Sequence, residues 1–242
     1  MSARPKIRLG VLQTGAPPGA LGEQFGSYPS MFRRLLGEVD FDFTDFDVRA
    51  GALPPAADAC AAYIVTGSAS GAYDADGWIA DLRAFLVAAK GRAALAGVCF
   101  GHQIMAQAFG GQVIKSPKGW GIGLHAYAVR GPEPWMRPGP LIAAPASHQD
   151  QVVTAPPGAR ALAGSDFTPN GILAYDDQPA ISIQLHPEFD PAYAKALIEG
   201  RRGRLFDTDQ ADRAITSLDA PNDRQRIGAW IGEFLRERAG AR

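Results

Sequence analysis

The stretch from Ala93 to Ile104 leaves the chain few ways to fold. Ala93-Ala94-Leu95-Ala96 is small and apolar, the pattern of a buried strand. His102 to Phe109 reads as a short helix stopped by Gly110-Gly111. Between them Cys99 stands two residues from Gly97 and two from Gly101. A strand that turns abruptly into a helix brings neighbouring backbones too close for side chains at the flanking positions, and glycine relieves that crowding. The helix N-terminus then lies beside the sulfur, where its partial positive charge favours a thiolate. Read alone, the segment is also compatible with a buried cysteine in a glycine-lined turn.

The rest of the chain supplies the sheet that such a turn requires. Lys6–Leu12 reads as a first strand, Phe41-Asp42-Phe43 begins a second, and Cys60–Thr66 forms a third. A helix covers Met31–Leu36. Trp78, Ile79, Leu82, Phe85 and Leu86 recur at helical spacing, as on a helix lying across a sheet. Alternating strands and helices predict an α/β fold, a doubly wound, mostly parallel sheet flanked by helices. From about Gly111 to Gln184 short strand-like runs, such as Leu124–Arg130 and Gln151–Val153, are separated by Pro/Gly turns. They predict a small antiparallel β excursion, with Gly131–Pro140 as a loop. Ile181–Leu185 reads as a strand, a helix follows from Pro191, and a last amphipathic helix runs from about Asp223 to Arg238. With 242 residues, 46% of them hydrophobic, the chain can bury a full core as one domain spanning 1–242.

Composition narrows the function. A net charge of −1 gives no electrostatic case for nucleic acid or an anionic membrane. No run approaches the roughly 18 apolar residues that a membrane helix needs, and Ile7–Leu12 is too short for a signal-peptide core. Two cysteines make neither a disulfide framework nor a zinc signature, and Cys60 reads as core. A thiol that must stay free fits a reduced, cytoplasmic setting. No phosphate-binding glycine loop and no metal cluster is present in the sequence, so no cofactor is expected.

A thiol nucleophile needs a base, and the base needs an orienting group. Ile181-Ser182-Ile183-Gln184-Leu185 runs into His186-Pro187-Glu188-Phe189. Pro187 disfavours helix at His186, and in extended chain residues two apart share a face, so His186 and Glu188 project together. Cys99, His186 and Glu188 are therefore the candidate catalytic residues. The plain alternatives are a strand-end histidine and a carboxylate capping the next helix.

Gly97-x-Cys99-x-Gly101-His102-Gln103 and His186-Pro187-Glu188 resemble the two signatures of the class I, triad-type glutamine amidotransferases, over roughly residues 6–200. The nearest resemblance is to stand-alone proteins similar to the glutaminase domain of GMP synthetase. It implies a flavodoxin-like fold and a glutamine-derived thioester on Cys99. Thr66-Gly67-Ser68 falls where the family carries its oxyanion loop, which implies the N–H groups of Gly67 and Phe100 as oxyanion donors. A glycine at 67 also lets the Gly67–Ser68 peptide flip at little steric cost, so a hole completed only by a docked partner is expected. Gln103 resembles the family residue that contacts the substrate's α-amino group, though it also reads as a packing amide. Ser147-His148-Gln149-Asp150 resembles a segment near the glutamine pocket, which places His148 there. His102 is expected to point away from the thiol, and His125 to lie on a strand surface. Trp120 either walls the pocket or anchors a loop. The segment after Glu188 is too short for a nucleotide-activating domain, so the expected partner is a separate ammonia-accepting synthetase subunit. The alternative is a γ-glutamyl hydrolase or peptidase with the same chemistry, since plant γ-glutamyl peptidases resemble the chain in both signatures.

Overall fold

The computed structural model describes residues 5–137 and 139–240; Pro138, in the expected Gly131–Pro140 loop, lies outside the described residues. In chain order the elements are β1 (Ile7–Gln13), α1 (Leu21–Phe25), α2 (Tyr28–Leu36), β2 (Phe41–Asp47), β3 (Ala62–Val65), α3 (Gly77–Ala89), β4 (Ala94–Val98) and α4 (Phe100–Ala108). They continue with β5 (Gln112–Lys115), β6 (Gly121–Val129), β7 (Leu141–His148), β8 (Asp150–Thr154), β9 (Ala159–Gly164), β10 (Ile172–Tyr175) and β11 (Ala180–Ile183). The chain closes with α5 (Pro191–Glu199), α6 (Thr208–Ser217) and α7 (Arg224–Gly240).

Nine strands form one sheet in the order β2-β1-β3-β4-β11-β10-β9-β6-β7. The half from β2 to β11 is parallel, and the half from β10 to β7 is antiparallel. The excursion therefore extends the main sheet rather than standing off it, while β5 and β8 pair separately. The reason lies in β11, which returns beside β4 and offers its free edge to β10.

Both faces of the parallel half are covered, and the period of two in each strand decides what each face presents. Ala62 and Ile64 of β3, with Ala94, Ala96 and Val98 of β4, meet Phe32 of α2 and Trp230, Ile231 and Leu235 of α7. The alternate residues Tyr63, Val65 and Leu95 meet Ile79, Leu82 and Leu86 of α3 and Ile104 and Met105 of α4. Each fully buried aliphatic side chain of this kind contributes about 1.5–3 kcal/mol. Serine and proline set the start of α2, where the Ser27 hydroxyl accepts from Ser30 N–H at 3.3 Å and proline occupies the first turn.

The turn between β4 and α4 follows the sterics expected of it. A Cβ on Gly97 would lie 2.5 Å from the Gly101 carbonyl oxygen, and a Cβ on Gly101 would lie 2.3 Å from that of Val65. Neither approach is physically tolerable, so both positions require glycine. The helix starts at Phe100, two residues earlier than the sequence suggests, because Cys99 itself is the residue that precedes its first turn. A third apolar cluster, with Phe189, Tyr193, Leu197 and Phe206, joins α5 and α6 beneath the C-terminal ends of the parallel strands.

Candidate active site

Four parallel strands end together: β1 at Gln13, β3 at Val65, β4 at Val98 and β11 at Ile183. The residues just beyond them form the site, the usual position in an open α/β sheet. Cys99 follows β4. Its N–H donates to Ile183 O at 2.8 Å, which ties the turn to β11. Its φ of 52° and ψ of −103° make it the single non-glycine residue with positive φ among the described residues. Such a conformation costs about 1–3 kcal/mol and is held by the packing around it. Cys99 is 5% exposed and sits at the N-terminus of α4.

His186 and Glu188 lie beyond β11 and are both buried. His186 Nδ1 and Glu188 Oε1 are 2.8 Å apart. The His186 N–H donates to Pro145 O at 2.8 Å, which fixes the backbone against β7. Burial alone would push the imidazole down, but the Cys99 sulfur and then the Glu188 carboxylate outweigh it and hold His186 above the ordinary histidine range. A Cβ built on Gly67 would sit 3.1 Å from His186 Cε1 and 3.9 Å from Cys99 Cβ. Gly67 thus lies against both the imidazole and the cysteine, and a larger residue there would crowd the ring.

Two supports of this arrangement go beyond the sequence-based expectations. Phe189 stacks flat on the His186 ring, with centroids 3.9 Å apart and planes 6° from parallel. Arg224, on α7, donates from Nε to Pro187 O at 2.9 Å and pins the turn between His186 and Glu188. Phe189 follows the His-Pro-Glu segment directly, a signal that could have been used; Arg224 has no local signal because it arrives from another helix.

Two cavities meet at Cys99. The larger, about 400 Å³, is lined by Ser68, Gln103, His148, Asp150 and Arg201 among others. The smaller, about 80 Å³, lies on the imidazole side against Tyr28, Gly67, His186 and Phe189. Gln103 and His148 line the same cavity as the cysteine. Gln103 Nε2 donates to Asp150 O at 2.9 Å and Gln184 Oε1 at 3.2 Å, so that nitrogen already serves to pack α4 against β8 and β11. His148 Nδ1 donates to Asp150 O at 3.1 Å, leaving Nε2 buried without a protein partner. Burial pushes His148 down to about 3, so it is a neutral acceptor rather than a cation. Trp120 reaches the larger cavity and packs edge-on against Phe206, which makes it both wall and anchor. Arg201, unforeseen in the sequence, borders both cavities and donates to Ser147 Oγ at 3.0 Å.

Phe100 N–H precedes the helix's own ladder, which begins with Gln103 N–H to Cys99 O at 3.0 Å, and so has no intrahelical acceptor. The expectation for His125 is corrected. It is half-buried rather than on the surface, because its ring packs edge-on against Phe167 at 5.3 Å. No cluster of three or more metal-ligating side chains occurs among the described residues, and no helix there is long and apolar enough to cross a membrane.

His102 points away from the thiol: its Nδ1 pairs with Ser182 Oγ at 2.8 Å on β11. Burial lowers its pKa to about 3. The unfolded chain binds a proton at His102 below about pH 6.5 and the fold does not, so acidification destabilises. Between about pH 7 and pH 5 this residue alone accounts for a loss of about 2 kcal/mol. Urea denaturation of the parent and of His102→Gln at both pH values checks it. The variant should lose less stability on acidification, and equal losses would mean that His102 titrates normally in the fold.

Known proteins share both fold and sequence pattern. The family described as glutamine amidotransferase class-I matches residues 27–199. A putative glutamine amidotransferase-like protein of Schizosaccharomyces pombe is 29% identical over 73% of this chain and 72% of its own length. Gamma-glutamyl peptidase 5 of Arabidopsis thaliana is 27% identical over 89% of this chain and 90% of its own. A glutamine-hydrolyzing GMP synthase subunit of Archaeoglobus fulgidus is 35% identical over 38% of this chain and half of its own. Among solved structures, a glutamine amidotransferase from Thermotoga maritima superposes with a TM-score of 0.72 at 16% identity, covering 98% of this chain and 99% of that one.

Proposed function

This chain belongs to the class I glutamine amidotransferase family, and on that premise we propose that it cleaves the side-chain amide of glutamine through a γ-glutamyl thioester on Cys99 and releases ammonia for a separate acceptor. The observation that supports this reading is the buried His186–Glu188 pair, 2.8 Å apart, set beside a thiol on a strained strand–helix turn. In this mechanism His186 takes the Cys99 proton and the sulfur adds to the amide carbon. The oxyanion is met by backbone N–H groups at Phe100 and in the Gly67–Ser68 loop. The C–N bond breaks as His186 gives its proton to the departing nitrogen. Water, deprotonated by His186, then hydrolyses the thioester and restores the thiol. Glu188 orients the imidazole and stabilises its charged form.

The leaving nitrogen must be on the His186 side. The cavity there, lined by Tyr28, Gly67, His186 and Phe189, opens to solvent and gives the released ammonia a way out, with the glutamyl portion in the larger cavity.

A second reading is a γ-glutamyl peptidase. It is favoured by the relatives of that name, which match 89% of the chain where the GMP synthase relative matches 38%. The distinguishing experiment follows ammonia or amine release from glutamine and from a panel of γ-glutamyl dipeptides by the purified chain. The glutaminase reading expects glutamine to have the higher kcat/KM. A dipeptide turned over much faster than glutamine would replace it with the peptidase.

A further inference from the structure

Beneath the candidate oxyanion loop, two buried threonines face each other across the ends of β1 and β3. Thr14 and Thr66 are both fully buried. Thr14 N–H donates to Thr66 Oγ1 at 3.0 Å. The Thr14 hydroxyl lies 2.9 Å from Thr66 O, 3.1 Å from Thr66 Oγ1 and 3.2 Å from Gly67 O. The Thr66 hydroxyl lies 3.2 Å from Gly67 O.

Each hydroxyl has one proton, and that restricts how these contacts can be satisfied together. Thr66 Oγ1 accepts from Thr14 N–H, so its own proton is free for Gly67 O. The Thr14 proton then goes to Thr66 O. Every donor has an acceptor in this assignment, and the carbonyl of Gly67 lies 3.2 Å from each of the two hydroxyls. Gly15 closes the same side: a Cβ there would lie 2.8 Å from Gly67 O.

A trans peptide points its C=O and N–H in opposite directions. With the Gly67 carbonyl turned toward Thr14 and Thr66, the Ser68 N–H points away from them. Ser68 lines both cavities that meet at Cys99. We propose that Thr66, oriented by Thr14, is a positioning residue that locks the Gly67–Ser68 peptide so that the Ser68 N–H, rather than the Gly67 N–H that the family resemblance implies, is presented to the oxyanion, and that the hole is therefore set in the isolated chain and needs no partner. This rests on the thioester reading above. It departs from the sequence-based expectation that glycine leaves this peptide free to flip: the freedom of Gly67 is removed by side chains from two neighbouring strands.

The test uses the full chain with Thr66→Val, which keeps the shape and removes the hydroxyl, and Thr66→Ser, which restores it. Ammonia release from glutamine, or amine release from the best γ-glutamyl substrate, is measured without any partner. We expect Thr66→Val to lower kcat by about 10²-fold, the scale of one lost oxyanion donor, with KM little changed. Alkylation of Cys99 by iodoacetamide should keep its rate, because that reaction forms no oxyanion. Thr66→Ser should recover most of kcat, and a crystal structure of Thr66→Val should show the Gly67 carbonyl rotated. An active parent with an unchanged Thr66→Val kcat, or kcat and alkylation falling together, would overturn the locking role alone. A parent that alkylates at Cys99 yet releases nothing from any γ-glutamyl compound would instead overturn the thioester reading.

Discussion

Replacing Cys99 by alanine should lower γ-glutamyl release by a factor on the order of 10⁶, the scale seen when the nucleophile of a catalytic triad is removed. The fold should survive, because the turn is held by the Cys99 backbone N–H to Ile183 O, which alanine keeps. A glutamine-like diazo-ketone should label the parent once, at Cys99. Cys60 serves as the internal control. It is 4% exposed, and burial raises its thiol above the ordinary range, so it presents no thiolate. Ammonia release, a thermal melt and peptide mass spectrometry together check the result. Labelling at Cys60 with Cys99 free would refute the assignment.

The second large effect is expected from Glu188→Gln. An amide keeps the size and most of the geometry of the carboxylate. It removes the charge that helps hold His186 above the ordinary histidine range, and it permits the wrong imidazole tautomer. In a triad this exchange costs about 10⁴-fold in kcat. The pH profile gives a sign that a packing defect would not. Loss of the carboxylate lowers the His186 pKa, so the alkaline limb of activity, where imidazolium is lost, moves to lower pH. An unshifted limb with nearly full activity would leave Glu188 as a helix-entry residue only. Glu188 Oε2 is buried without a protein partner, so substitution there does not break another bond.

Much of this site was legible in the chain because its determinants are local. Gly97 and Gly101 are demanded by backbone approaches of 2.5 and 2.3 Å at one turn, and that turn is written in consecutive residues. His186 and Glu188 share a face because of their spacing and the proline between them, and they are found 2.8 Å apart. The parallel half of the sheet followed from strands and helices alternating along the sequence.

What the sequence left open depends on residues far apart in the chain. Strand periodicity does not say which edge an antiparallel run will join, so the extension of the sheet by β10, β9, β6 and β7 emerged only when β11 was seen beside β4. His125 alternates like an exposed strand residue, yet Phe167 covers it. Arg224 reaches the His-Pro-Glu turn from α7, and Arg201 reaches both cavities from beyond α5. Gly67 shows the division most directly. Its sequence permits a flip, because glycine carries no steric preference of its own. The hydroxyls of Thr14 and Thr66, brought together by β1 and β3 across 52 residues of chain, decide which way its carbonyl points.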